Sequence, residues 1–287
     1  MNSGHLFITL AAIGFGLNPM FAQLLMDDGL SPQLVTLYRF LLPALLLAPW
    51  LRLTRLEYKE GFIMFVFGMA NGLAMLAYFT ALSQIPAAQA IFIYYSYPVV
   101  SLLLGWGFYR QRPTTNRAIS AALIIIAASL VFQPQALSTE QWSAALSCFL
   151  APVVFALTIH YFSQPRAPLA PMQRMRCGLA GHMLVLVPLA LMSQPSVWLP
   201  QSTMGYVWVI ALAGLATSLP QLLFTLGAPK VGAEQASIAG ALELVVALMC
   251  GAVILGNGFN YSQMVAMLLI LLAMQIRHPL RTQALIT

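Results

Sequence analysis

Leu82-Ser-Gln-Ile-Pro-Ala-Ala-Gln-Ala-Ile-Phe-Ile-Tyr-Tyr-Ser-Tyr-Pro-Val-Val-Ser101 has a counterpart later in the chain, Ala228-Pro-Lys-Val-Gly-Ala-Glu-Gln-Ala-Ser-Ile-Ala-Gly-Ala-Leu-Glu-Leu-Val-Val-Ala247. One constant offset sets Ala87 on Ala233, Gln89 on Gln235, Ala90 on Ala236, Val99 on Val245 and Val100 on Val246. The same register runs outward without gaps: Gly68 meets Gly214, Leu73 meets Leu219, Leu76 meets Leu222 and Gly105 meets Gly251. Single matches between small or apolar residues carry little weight. A Gln-Ala pair and two glycines held in one register carry more. The chain reads as two related halves, a repeat far longer than a solenoid unit.

Hydrophobic residues make up 60% of the sequence and charged residues 7%. Soluble domains carry about 25% charged residues, so the chain is read as all-α and integral to a membrane. A span needs about 20 mostly apolar residues. Ten runs qualify, at 3–26, 31–51, 60–82, 86–108, 115–133, 140–162, 170–193, 204–227, 232–255 and 260–277. Turn-forming groups such as Asp27-Asp28-Gly29 and Gln111-Arg112-Pro113 separate them. The first run lacks a basic leader and a cleavage site, so it is read as a retained span. The expected organisation is a first five-span half at 1–133, a linker at 134–139 and a second half at 140–287 with a short tail. Five is odd, so the second half enters the membrane from the opposite face and the repeats are inverted.

Charge tests the count. With ten spans, Arg52, Arg55, Lys59, Arg110, Arg112, Arg117, Arg166, Arg174, Arg176, Lys230, Arg277 and Arg281 all fall on the side of the termini. The other side holds Asp27, Asp28 and Glu140, and Arg39 lies within a span. By the positive-inside rule both termini are cytoplasmic. The net charge of +6 is then a topology signal, and no nucleic-acid partner is expected. Cys148, Cys177 and Cys250 lie in apolar runs, with neither a disulfide framework nor metal spacing. No metal or cofactor is expected. The partners expected are lipid and a small-molecule substrate, with a monomer as the favoured assembly.

Polar residues inside a bilayer are costly and mark packing or function. On the fourth span Ala87, Ala90, Tyr94, Tyr97 and Ser101 share a helix face. The repeat sets that face on Ala233, Ala236, Gly240, Glu243 and Ala247. Asn71, Met75 and Tyr78 share a face of the third span, and Thr217, Gln221 and Phe224 one of the eighth. The first span adds Phe15 and Asn18, and the sixth adds Phe155 and Thr158. Pro19, Pro43, Pro98, Pro152, Pro188 and Pro220 are expected to kink their spans. Glu243 lies roughly 16 Å deep at 1.5 Å per residue, where an acid costs about 2.5–3.5 kcal/mol. Arg39 overlaps it in depth, so the two read either as a charge pair or as separate functional groups. His182 can titrate near neutral pH or serve as a hydrogen-bonding strut.

These residues resemble the drug/metabolite transporter superfamily, EamA type. The likeness lies in the ten-span layout, in Gly14-Phe15-Gly16-Leu17-Asn18-Pro19, in Arg39-Phe40 and in Tyr97-Pro98-Val99 with Gly105. Within the family the chain is most similar to the YddG branch, which exports aromatic amino acids. The resemblance implies export of small amphipathic metabolites across a bacterial inner membrane, with a multidrug or other metabolite carrier as the alternative. The implied contact residues are Phe15, Asn18, Asn71, Met75, Tyr78, Tyr94, Tyr97, Phe155, Gln221, Phe224, Gly240 and Glu243. Arg39, Glu243 and His182 are the candidates for coupling or charge pairing. The family's frequent glutamates near the ends of the fourth and ninth spans are missing, since those positions read Gly107-Phe108-Tyr109-Arg110 and Ile254-Leu255-Gly256-Asn257. Phosphate-bearing substrates would want Arg or Lys clusters, which the membrane faces lack. An integral-membrane enzyme would need a nucleophile with a base beside it. His5, His160, His182 and His278 are scattered and unframed.

Overall fold

A computed structural model of the chain describes residues 3–85, 87–108, 114–131, 138–163, 169–193, 196–254 and 260–276. Most of the linker read at 134–139 lies outside the described residues, as do Arg110, Arg112, Arg166, Arg277, His278 and Arg281. The described residues are helical apart from short turns. Eight helical segments are long and apolar enough to cross a membrane: α1 Ser3–Asp27, α2 Pro32–Trp50, α3 Tyr58–Gln84, α4 Gln89–Gly107, α6 Gln141–Phe162, α7 Pro171–Met192, α8 Thr203–Val231 and α9 Gln235–Val253. Two shorter apolar helices, α5 Thr115–Leu130 and α10 Tyr261–Gln275, occupy the positions of the fifth and tenth runs.

The outer surface is that of a protein solvated by lipid. Leu45, Leu46, Phe62, Leu103, Ile210 and Leu272 are among many large apolar side chains left exposed, a surface no soluble monomer carries. Exposed Trp50, Trp106, Trp142 and Trp198 lie at or near helix ends, where the amphipathic indole suits the headgroup level.

Glycine sets the closest helix crossing. A Cβ on Gly68 of α3 would lie 2.7 Å from the Gly178 carbonyl carbon of α7, and one on Gly181 would lie 2.9 Å from the Phe65 carbonyl carbon. Without the side chains the two backbones touch, and α3 and α7 pack over much of their length. The α1–α8 pair is the most extensive, and α5 packs along α10.

Several helices are interrupted halfway. A turn at Leu17 divides α1, the Tyr95–Ser96 turn divides α4, and breaks at Phe149 and Ala241 divide α6 and α9. Pro19 and Pro98 follow two of these breaks, where a missing N–H costs nothing. Pro43 and Pro188 are carried inside continuous helices. In α8 a π-helical turn, Gly214–Ser218, precedes Pro220. There the Thr217 and Ser218 hydroxyls donate to the Leu212 and Ala213 carbonyls, at 2.8 and 2.6 Å.

Candidate functional site

Interrupted and continuous helices together surround a cavity. Its walls come from α1, α2, α3, α4, α6, α7, α8 and α9. Local chemistry fixes these walls. The Asn18 side-chain amide donates to the Phe15 carbonyl (3.0 Å) and to the Ala216 carbonyl (2.7 Å), so it ties the break in α1 to the π-turn of α8. That π-turn aims the Thr217 hydroxyl at α2, where its oxygen accepts from Arg39 Nε at 3.0 Å. Arg39 Nη1 points to the Met75 sulfur at 3.3 Å, and the guanidinium carbon sits 5.1 Å from the Phe40 ring centre. Phe40 in turn stacks on His182, ring centres 3.9 Å apart. His182 Nδ1 lies 2.6 Å from the Gly178 carbonyl, so it carries the proton and leaves Nε2 as a lone pair with no partner.

An aromatic wall lies beside these groups. Tyr94 is 5.1 Å from Tyr78 and stacks on Phe155 at 5.9 Å. Phe15 meets Phe155 edge to face at 6.4 Å. Glu243 is buried in the same wall; its carboxyl faces the Tyr94 hydroxyl, and Oε2 has no hydrogen-bond partner. It occupies the first turn of the half-helix Leu242–Val253. Arg39 and Glu243 line the same cavity but use different partners, and no ion pair joins them among the described residues.

Of the residues read from sequence, Phe15, Asn18, Asn71, Met75, Tyr78, Tyr94, Phe155, Gln221 and Glu243 line this cavity, with Arg39 and His182. Tyr97, Phe224 and Gly240 stand behind the wall. The Tyr97 hydroxyl donates to the Ser237 carbonyl at 3.2 Å, and a Cβ on Gly240 would come within 2.9 Å of that hydroxyl. Phe224 packs 6.2 Å from Phe155 and 6.4 Å from Phe162. Tyr97 packs 5.8 Å from Tyr94 and edge to face with Phe155 at 4.8 Å, and the Tyr95–Ser96 turn breaks the helix whose single face Tyr94 and Tyr97 were read to share. Phe67 and Phe162, which the sequence reading missed, lie one turn from Asn71 and Thr158 on the same faces. Phe40, Met64, Met175 and Leu179 carried no comparable signal. Arg174, counted among the cytoplasmic basic residues, is buried in the first turn of α7 and also lines the cavity.

This is a multi-pass helical membrane protein whose interrupted spans enclose an aromatic, sparsely charged cavity, the build of a small-solute carrier. The chain belongs to the EamA-like transporter family, whose sequence profile matches it twice, over residues 2–133 and 142–276. It is 24% identical over 274 residues to a Bacillus subtilis (strain 168) protein described as uncharacterized transporter YojE, spanning 91% of this chain and 88% of the relative. One solved crystal structure, at 16% identity, matches with a TM-score of 0.76 over 96% of each chain, a likeness of fold alone.

Proposed function

We propose that this chain exports small amphipathic metabolites, aromatic and hydrophobic amino acids in particular, by alternating access between two inverted five-span halves of a bacterial inner membrane, with both termini in the cytoplasm. The observation that carries this reading is the cavity. Rings of Phe15, Tyr78, Tyr94 and Phe155 receive an apolar side chain, while Arg39 and Glu243 supply charge of both signs. The repeat and the double match to one family profile support the two halves. So does the packing: if each helix is exchanged for its repeat partner, the α3–α6, α3–α7 and α4–α6 contacts become α8–α1, α8–α2 and α9–α1, and all six are present. The α2–α7, α4–α9 and α5–α10 contacts map onto themselves. Repeats related in this way hold substrate at their interface and expose it to each side in turn.

Purified protein in liposomes, given a panel of labelled solutes, tests the proposal. Saturable uptake of phenylalanine, tyrosine or tryptophan that exceeds uptake of sugar phosphates is expected. A buried carboxylate among aromatic rings also suits an organic cation, so the panel includes tetraphenylphosphonium. Saturable movement of the cation alone would favour a multidrug carrier. Protein-independent fluxes for every solute would refute the transport reading of the cavity.

A further inference from the structure

Glu243 and Arg39 in the cavity wall keep hydrogen-bonding capacity that the protein does not use, as do His182 Nε2 and Asn18 Oδ1. Glu243 is 5% exposed, and its Oε2 has no partner. Arg39 is 7% exposed; Nε and Nη1 are directed to Thr217 and Met75, which leaves Nη2 without a protein partner among the described residues. Buried charges left partly unsatisfied are expensive, and a direct ion pair would relieve both. Yet each is anchored away from contact with the other. The π-turn of α8 holds Arg39 through Thr217, and the break in α9 starts the half-helix that carries Glu243. The two charges are therefore kept apart in one cavity, on spans that belong to different halves of the repeat.

We infer that the cavity recognises a zwitterion: the α-ammonium of an aromatic amino acid docks on Glu243 and its α-carboxylate on Arg39, with the side chain among Tyr78, Tyr94 and Phe155. This rests on the amino acid reading of the same cavity and adds to it the way in which the substrate's main-chain charges are read. An α-amino acid carries an ammonium and a carboxylate one carbon apart on an apolar body, which is what the open oxygen, the open nitrogen and the ring wall would satisfy together. A monocation would satisfy Glu243 and leave Arg39 buried without a counter-ion, and a monoanion would do the reverse. Each mismatch strands a desolvated charge, and that gives selectivity by exclusion as well as by attraction. A ligand held by both halves also bridges the elements that must move against each other.

The test is equilibrium binding of L-phenylalanine, phenethylamine and 3-phenylpropionate to the detergent-solubilised full-length protein. The wild type is expected to bind phenylalanine at least about tenfold more tightly than either singly charged analogue. Glu243→Gln is expected to weaken phenylalanine binding by about tenfold or more while sparing phenylpropionate. Arg39→Gln is expected to do the same while sparing phenethylamine. The ligand series on wild type stands by itself if either variant fails to fold. Equal binding of phenylalanine and one singly charged analogue overturns the zwitterion inference alone. No binding of any of the three overturns the amino acid reading of the cavity, and the inference with it.

Discussion

Replacing Gly68 by alanine adds one methyl group at the α3–α7 crossing, and the structure says where it must go. Its Cβ would stand 2.7 Å from the Gly178 carbonyl carbon and 2.8 Å from the Gly178 Cα, whereas ordinary contact begins at 3.4 Å. The obstruction is backbone, so no side chain can swing aside. The Gly178 carbonyl oxygen stands nearer still, and to bring it back to ordinary contact the helices must part by roughly 1.4 Å. Close-packed interiors lose dispersion contacts steeply over such gaps, and overpacking of this kind costs about 1–3 kcal/mol. The obstruction is backbone at a long helix crossing, so the upper end, about 3 kcal/mol, is expected. Gly178 is the control. A Cβ there meets nothing nearer than 3.8 Å, and Gly→Ala within a helix gains about 0.5–1 kcal/mol from backbone entropy. In a detergent thermal melt Gly68→Ala should lower the midpoint well below wild type, while Gly178→Ala should equal or exceed it. Equal midpoints for the two variants would refute the close crossing.

Three further outcomes follow from the same structure. Thr217→Val removes the oxygen that accepts from the buried Arg39 Nε and should cost about 1.5–3 kcal/mol of stability, whereas Thr217→Ser should retain most of it; equal losses in thermal melts would show that the hydroxyl is not what matters. Asp28 accepts from the Gln201 and Ser202 backbone N–H groups, and hydrogen bonding, led by the Ser202 side chain, holds its carboxyl below the ordinary 3.8. A depressed carboxylate stabilises the fold above its unfolded pKa and loses that contribution as pH falls through the lower folded value. The stability advantage of wild type over Asp28→Asn should therefore be constant near neutrality and fade below about pH 3.8, and an advantage that grew on acidification would contradict the assignment. Impermeant thiol labelling of intact cells should spare a cysteine at Thr114 and modify one at Gln141. Cys148, Cys177 and Cys250 are buried and should add little background. The reverse pattern would overturn the topology.

The apolar runs were legible because a bilayer demands long uninterrupted stretches, and the helices coincide with them to within a few residues. The cavity was legible where polar or aromatic residues recur on one helix face, as in Asn71, Met75 and Tyr78. The interruptions were harder to read. Pro19 and Pro98 mark two of them, but the break at Ala241 in α9 has no proline, and the π-turn of α8 arises from side chains that donate to carbonyls five residues back. That hidden break lies directly before the half-helix whose first turn carries Glu243. Tyr97 and Gly240 fall outside the cavity lining for a related reason. Face projection assumes a continuous helix, and the Tyr95–Ser96 turn divides Tyr94 from Tyr97. Arg39 is held by Thr217 from a span 178 residues away, a contact no local pattern encodes.

The central claim is that amino acids cross the membrane through this cavity. Gly178 lines it, and a Cβ there would meet the Met64 carbonyl oxygen of α3 at an ordinary contact distance of 3.8 Å, so Gly178→Leu should plug the cavity without parting α3 from α7. The most direct measurement is counterflow of labelled L-phenylalanine into liposomes preloaded with the unlabelled amino acid, with wild type and the plugged variant side by side. The account predicts transient accumulation by wild type and a large loss of it in Gly178→Leu, with unchanged thermal stability. Equal counterflow by the two proteins, or none by wild type, would contradict it.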